Sequence, residues 1–434
     1  MAKVLFGVEP GGSKARWVRG LTINGALGVA RERGVLVPQH GAGLDYLWDW
    51  ENIGIARPDG LGVPGPEARA HSGGEKRALL VERGLAAGRD LVWLDEPAAG
   101  LDIGRTRELA EKLRGLADDG VALIVTTHRV DLAHEIADQV VFLSPDGTVE
   151  RIGSPDDASE LDAWLTERLA RAAPTATGLT AASQRFPIGI GPLTAFEALL
   201  SFAAIVTTHR VIARRSFGAA WSLILMRGAL FHFVVGAITA AIIYVSIRTS
   251  GGVTSATRWI PMFGMEIVLR VTQPLAAILA GASSGAAVSS WLGGMVAREE
   301  LEGLRALDVD IDKTIKAPVT LAVASSVLLH TLVFGAAMMA TLGGVILVLS
   351  DAPGPTLNAF LGGASDWFIA GNVALWLPKL IAYPLLVAGI TVGFATVPKP
   401  GTGAVGSALT RAIIRSTFAI VLLELLLLLP SVLP

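Results

Sequence analysis

The stretch GALFHFVVGAITAAIIYVSI, residues 228 to 247, holds twenty residues without a formal charge. About 20 apolar residues in a helix cross the roughly 30 Å hydrocarbon core of a bilayer. In lipid every backbone N–H and C=O must be satisfied within the segment, so such a run folds as a spanning helix. Similar stretches fall at about 259–296, 318–350, 368–396 and 412–433, which predicts about five spans. Residues 1 to about 190 read differently, with short apolar runs separated by charged loops. The chain is therefore expected to join a soluble half to a membrane half.

Composition narrows the chemistry. There is no cysteine, so thiolate metal sites, disulfides and cysteine nucleophiles are excluded. A formal net charge of -2 offers no broad basic surface, and no nucleic-acid partner is expected. No charged segment followed by an apolar one opens the chain, so no cleaved signal is expected and the soluble half is placed in the cytoplasm. Five spans put Arg298, Arg305, Lys313, Lys316, Lys399 and Arg411 on the side of Arg210, Arg214, Arg215 and Arg227. The loop from Asp351 to Asp366 has no Lys or Arg, as an outer loop should, while Arg248 and Arg258 are exceptions.

The most informative soluble segment is HSGGEKRALLVERGLAAGRDLVWLDEPAAGLD, residues 71–102. LVWL reads as a buried parallel strand that delivers Asp95 and Glu96 at its C-terminal edge. One acid there can hold Mg²⁺ while its neighbour polarises a water. Ser72, Gly73 and Gly74 open a helical stretch, whose N–H groups and dipole make an anion site. VALIVTTH, residues 121–128, is a second strand ending in His128, placed to reach a γ-phosphate. Each piece alone is common in turns and strand ends; their order and spacing are not.

The set resembles the ATP-binding-cassette (ABC) ATPase family over roughly residues 3–155. The resemblance implies a homodimer that sandwiches ATP and Mg²⁺. It makes Ser72, Gly73, Gly74 and Glu75 the signature motif, with His71 in the usual Leu position. Asp95 becomes the Walker B Mg²⁺ ligand, Glu96 the general base, Gly100 to Asp102 the D-loop and His128 the switch histidine. Gln39, in the strand-like VLVPQ, becomes the Q-loop residue that senses nucleotide and its metal. GVEPGGSKAR, residues 7–16, stands where the phosphate loop belongs, so Gly11, Gly12, Ser13 and Lys14 are its candidate phosphate contacts. It has one residue too many between Gly7 and Lys14, Ser13 for the usual Gly, and Ala15 for the Mg²⁺-binding hydroxyl. Gly11 and Gly12 can still supply a backbone nest. ATP turnover through a weakened loop, binding without turnover, and no binding all stay open. The helical subdomain is expected to be shortened.

ARAAPTATGLTAASQRFPIGIGP marks a linker at about 171–192. After it, FEALLSFAAIVTTHRVIARRSF suggests an interfacial helix. The expected organisation is an ATPase domain over 1–170, the linker, and a membrane domain over 193–434. The small-residue stretch AGASSGAAVSSWLGG, 280–294, reads equally as a dimer interface, a lipid path or plain helix packing. Arg270 and Lys379 lie within spans; Lys379 reads as snorkelling, internally paired, or touching an anionic headgroup on a lipid path.

REELEGLRALDVDIDKTIKAPVTLA, residues 298–322, resembles the E-x-L-x-A-L-x-x-L-G-V-D pattern of the MlaE/YrbE permease family. GAVGSALTRAII, 403–414, resembles that family's C-terminal signature, and LPKL before a span fits it too. The resemblance covers about 195–433. Asp308 replaces the usual Gly, and RVTQP replaces the acidic R-E-L-G-P form. The family moves phospholipids with MCE-domain partners, so the resemblance implies a multi-pass protein of a bacterial inner membrane. It makes Glu300, Leu301, Leu304, Leu307 and Asp310 the surface that couples to the ATPase. The fold class is thus a shortened α/β P-loop ABC ATPase followed by an all-α polytopic membrane domain. Three alternatives stay open: a non-hydrolysing subunit served by a separate ATPase, an exporter of small amphiphiles, and a soluble half that acts only as a structural or regulatory cap.

Overall fold

A computed structural model describes residues 22–23, 26–27, 34–39, 44–56, 71–143, 149–153, 163, 210–298, 300–307, 309–349, 353–367, 369, 373–397 and 402–432. Gly11, Gly12, Ser13 and Lys14, the 171–192 linker and the interfacial stretch before Arg210 lie outside the described residues. The chain forms two compact units, residues 1–188 with 298–311, and residues 189–297 with 312–434.

The first unit is built on a parallel sheet of three strands, β3 (Gly34–Val37), β4 (Leu91–Asp95) and β5 (Ala122–Thr126), in that order. Val35 pairs with Val92, and Val92 with Leu123. Two further short antiparallel pairs are separate from it, β1 (Thr22–Ile23) with β2 (Ala26–Leu27) and β6 (Val140–Leu143) with β7 (Val149–Gly153). The helices are α1 (Asp49–Gly54), α2 (Gly73–Leu85), α3 (Ile103–Asp118) and α4 (Val130–Ile136). Val35, Val37, Val92 and Leu94 of the sheet meet Leu80, Val81, Leu113 and Leu132 of these helices in one core. The apolar runs read as strands are β3, β4 and β5; β3 and most of β4 are buried, as parallel strands covered on both faces are, whereas β5, last in the sheet order, is only half-buried and leaves Ile124 exposed. At Gly84 an added Cβ would lie 2.2 Å from Val37 Cγ2, so glycine lets α2 close on β3.

The second unit is helical: α5 (Arg210–Ala297), α7 (Ala317–Leu349), α8 (Pro353–Trp367), α9 (Val373–Ala395) and α10 (Thr402–Val432), with a π-helical turn over Asp312–Lys316 before α7. Helix α6 (Glu300–Ala306) belongs to the first unit. Helix α5 has two legs that lie antiparallel along α7. Gly228 of the first leg and Ser284 of the second both meet His330, while Gly236 meets Phe334 and Gly335 meets Thr272. Among the described residues four stretches are long and apolar enough to cross a membrane: Ile212–Ser250, Phe263–Ala297, Asp312–Leu349 and Trp376–Ala395. The expected fifth span, 412–433, falls on α10, a 31-residue helix packed on α5 and α9.

The small-residue stretch faces into this bundle. Added Cβ atoms at Gly281 and Gly285 would lie 3.0 Å from Ser416 Oγ of α10 and Thr391 Oγ1 of α9. Ser284 Oγ lies 3.4 Å from His330 Nδ1 of α7. Within the chain these residues therefore serve close helix packing.

Candidate functional site

Ser72 caps α2. Its N–H donates to Glu75 Oε2 at 2.8 Å, its hydroxyl donates to the same oxygen at 2.9 Å, and its Oγ accepts from the Glu75 N–H at 3.4 Å. This reciprocal capping box fixes the first turn. The Ser72 backbone and hydroxyl bonds, followed by that of Arg105, hold the Glu75 carboxyl down at about 2. Arg105 Nη2 sits 3.4 Å from Glu75 Oε1, so α3 holds the first turn of α2. A Cβ at Gly74 would lie 2.7 Å from the Gly100 carbonyl oxygen, whereas Gly73 has nothing within 4 Å. Gly100 has φ +77, which glycine supplies without strain. Asp102 then caps α3, accepting the Arg105 N–H at 2.8 Å.

Asp95 ends β4 and accepts the Thr126 hydroxyl on β5. Glu96 turns the chain with φ 49, the left-handed region that a non-glycine residue rarely adopts. Its N–H donates to the Thr126 carbonyl at 2.7 Å. Its Oε1 accepts the His128 N–H at 3.0 Å and lies 2.8 Å from His128 Nδ1. The general base and switch histidine expected from sequence are thus brought together at one strand edge. His128 is 73% exposed and Glu96 15%, so the pair opens to solvent through the imidazole.

Gln39 follows β3 and is exposed. What the sequence did not single out is Arg77. Its Nη1 donates to the Pro38 carbonyl at 2.5 Å and the Gln39 carbonyl at 3.2 Å, and its Nη2 to the Asp95 carbonyl. One guanidinium of α2 therefore ties the end of β3 to the end of β4. Burial holds Arg77 down at about 10, opposed by Asp95 and Glu96. An arginine five residues after Ser72 carries no motif of its own, since its partners are carbonyls from distant strands.

Among the described residues no group of three or more His, Cys, Asp or Glu could hold a metal ion. A single carboxylate at the end of β4, Asp95, would suit a Mg²⁺ borne mainly by nucleotide phosphates rather than a protein cage. When bound, such an ion would neutralise phosphate charge; Asp95 would hold it and Glu96 would orient water.

The coupling residues are distributed as follows. Glu300 is 2% exposed, Leu301 3% and Leu304 0%. Leu307 packs against the sheet core of the first unit, and Asp310 is exposed. Burial pushes the Glu300 carboxyl up, against the pull of Arg298 and Arg83.

In the membrane unit Lys379 of α9 is paired, its Nζ 2.8 Å from Glu424 Oε1 of α10. Tyr383 donates to the other oxygen of Glu424. Internal pairing is the reading that the structure supplies for Lys379; Glu424, one carboxylate in a leucine run, was the unremarked partner. Arg270 pairs with Glu266 one turn back at 2.9 Å. Gln273, in the divergent RVTQP, donates to the Trp376 carbonyl at 2.9 Å and so ties the second leg of α5 to α9.

Comparison with known proteins agrees with this division. The N-terminal region is 40% identical over 85 residues to the arginine transport ATP-binding protein ArgV of Corynebacterium glutamicum, covering 20% of this chain and 33% of that one. It is 38% identical over 94 residues to an ABC transporter ATP-binding protein of Archaeoglobus fulgidus, covering 21% and 32%. The chain thus spans about a third of the length of the curated relatives it matches. An inward-facing metal-chelate type ABC transporter aligns at 20% identity with a TM-score of 0.24, over 29% of this chain and 60% of that one. Residues 211–429, half of the 434, match the family described as Permease MlaE. An ABC ATPase-like region is therefore fused to this membrane part, and the chain belongs to the MlaE permease family.

Proposed function

We propose that this protein is an ATP-driven transporter that moves phospholipid, or a related lipid, across or out of the bacterial inner membrane with an MCE-type lipid-binding partner. It works as a homodimer, because a composite ATP site needs the signature motif of a second copy. ATP and Mg²⁺ are its cofactors, and the ATPase region lies in the cytoplasm. Ser72 to Glu75 bind the γ-phosphate held opposite, Asp95 and Gln39 hold Mg²⁺, Glu96 activates water, and His128 positions it. Gly11, Gly12, Ser13 and Lys14 hold the phosphates of the chain's own nucleotide.

The observation that carries the reading is the packing of α6, which follows the second span, against the soluble unit. Leu307 seals the sheet core and Glu300 and Leu304 are buried, so a helix from the permease sequence is part of the ATPase body.

The test is ATP hydrolysis by the full chain in lipid nanodiscs, beside Glu96→Gln and Lys14→Ala, together with fluorescent phospholipid transfer to an acceptor. Turnover lost in both variants, with ATP-dependent transfer in the parent, is the expected result. A folded, dimeric parent without turnover rejects it in favour of a permease served by a separate ATPase.

A further inference from the structure

Two histidines meet inside the second unit. His232 lies 20 residues after Ile212 and 18 before Ser250, and His330 lies 18 after Asp312 and 19 before Leu349, so each stands halfway along its apolar stretch. Both are 0% exposed. Their rings stack, with centroids 4.5 Å apart and planes 11° apart. Gly228 of the first leg of α5 makes the room, since an added Cβ there would lie 2.3 Å from His330 Cε1. Ionisable side chains at such depth are costly, and where they occur they mark ion or proton paths.

His330 is bonded on both sides of its ring. Its Nε2 lies 3.3 Å from the Leu225 carbonyl of the first leg, and its Nδ1 lies 3.4 Å from Ser284 Oγ of the second. A hydroxyl donates as readily as it accepts, so the neutral ring satisfies both contacts. His232 differs. Its Nδ1 lies 2.7 Å from the Gly228 carbonyl, while its Nε2 is buried with no hydrogen-bond partner among the described residues. The Ala276 carbonyl of the second leg also faces this ring, and it too can only accept. In a neutral imidazole one nitrogen donates and the other offers a lone pair. Either tautomer of His232 therefore leaves a basic lone pair without a donor in the bundle interior, and only the imidazolium leaves none.

The charged groups on the surrounding helices do not engage this pair. Arg270 pairs with Glu266 and Lys379 with Glu424, while Arg248 of the first leg and Asp366 of α8 are exposed. Stacked rings cannot hydrogen-bond to each other, and their planes do not meet at a point where one metal ion could lie in both. What the arrangement can take is a proton, and only one, because two imidazoliums 4.5 Å apart repel strongly in a low-dielectric interior.

We propose that His232 and His330 form a one-proton site at the centre of the second unit, with His232 as the seat and the neutral His330 ring stacked over it. Binding adds a proton from water to the His232 ring and changes no bond between heavy atoms. The charged ring faces carbonyls of both legs of α5 and stacks on a ring of α7, so occupancy is tied to how these three segments pack. The site stands apart from the ATP-driven reading above.

The experiment is an NMR titration of the histidine ring nitrogens in the full, untagged chain in detergent micelles, from about pH 8 to about pH 4. The chain has seven histidines, and His232→Phe and His330→Phe assign the two signals while keeping a ring in the stack. The two ring nitrogens of His232 are expected to converge in shift as the imidazolium forms, while those of His330 stay apart, as in a neutral ring, over the same range. His232→Phe should lose the step and leave His330 neutral, and His330→Phe should keep it. Amide protection of 228–236, corrected for the intrinsic effect of pH, should change at the same step in the parent and not in His232→Phe. Two rings that stay neutral to the end, as a buried water donating to His232 would leave them, overturn the proposal. So do two charged rings, a step that survives His232→Phe, or protection that ignores the step. Should a Phe variant fail to fold, the Gln variant at the same position makes the assignment, and the titration of the parent decides on the same terms.

Discussion

Gly73 and Gly74 are neighbours in one motif with opposite tolerances. An alanine at 74 drives its Cβ to 2.7 Å from the Gly100 carbonyl oxygen, a backbone atom that cannot swing away, whereas 73 has open space. Gly74→Ala is expected to destabilise by about 1–3 kcal/mol, and Gly73→Ala to stay within about 0.5 kcal/mol. Thermal unfolding of the two variants in the same detergent checks the contrast, and equal losses would refute it. Glu75 gives a pH signature. Its folded value of about 2 lies below the ordinary 4.5, so its contribution is fully present above 4.5 and is lost as pH falls toward 2. Glu75→Gln should therefore flatten the fall of melting temperature between pH 5 and pH 2, an effect kept small because the side chain is 40% exposed and screened by solvent. At this scale the sequence made Ser72, Glu75, Asp95, Glu96 and His128 legible, because their chemistry is tied to local order and spacing. Arg77 was hidden, since what it touches comes from residues far along the chain.

Between elements, close approach depends on glycine. In the first leg of α5, a Cβ at Gly236 would lie 2.6 Å from the Phe334 carbonyl oxygen of α7, while Gly344 of α7 has nothing within 4 Å. Gly236→Ala should cost about 1–3 kcal/mol and Gly344→Ala should be near neutral, read from melting in micelles. The Lys379–Glu424 pair makes a second prediction. Each partner is partly buried, 14% and 23% exposed, and Tyr383 shares the carboxylate. Lys379→Met leaves Glu424 with an uncompensated charge and should destabilise by roughly 3 kcal/mol at most, discounted for that exposure. Adding Glu424→Leu should recover most of the loss, as apolar replacements of buried pairs do. A double variant as unstable as the single would show that the pair is not what joins α9 to α10. Helix existence was legible from length and hydropathy. The turn back between the two legs of α5 was legible too, since the apolar runs at 228–247 and 259–296 were read as separate spans; what hydropathy could not give is which residues of the legs meet α7.

For the whole molecule, the first unit is discontinuous in sequence. Residues 298–311 belong to it although about a hundred membrane residues precede them, and Leu304 is 0% exposed within it. Leu304→Ala should destabilise the first unit by about 2–5 kcal/mol. The check is exchange protection of β3 and β4, which ought to fall while the spans keep theirs. A fragment ending near residue 190 would lack the helix that covers this side of the sheet. It should melt lower than the same fragment supplied with the 298–311 peptide, and identical melting would contradict the division.

The sequence by itself determined the long apolar helices of the second unit, the parallel strands that lead into Asp95, Glu96 and His128, and the family pattern around Glu300. Those follow from short-range order: apolar run length, strand-end acids and cap residues. Only the tertiary structure decided that α6 lies in the body of the soluble unit, that AGASSGAA packs inward, and that Lys379 meets Glu424. Such pairings join residues 45 or more positions apart. Their partners are selected by burial and charge compensation in three dimensions, which no local window of sequence contains.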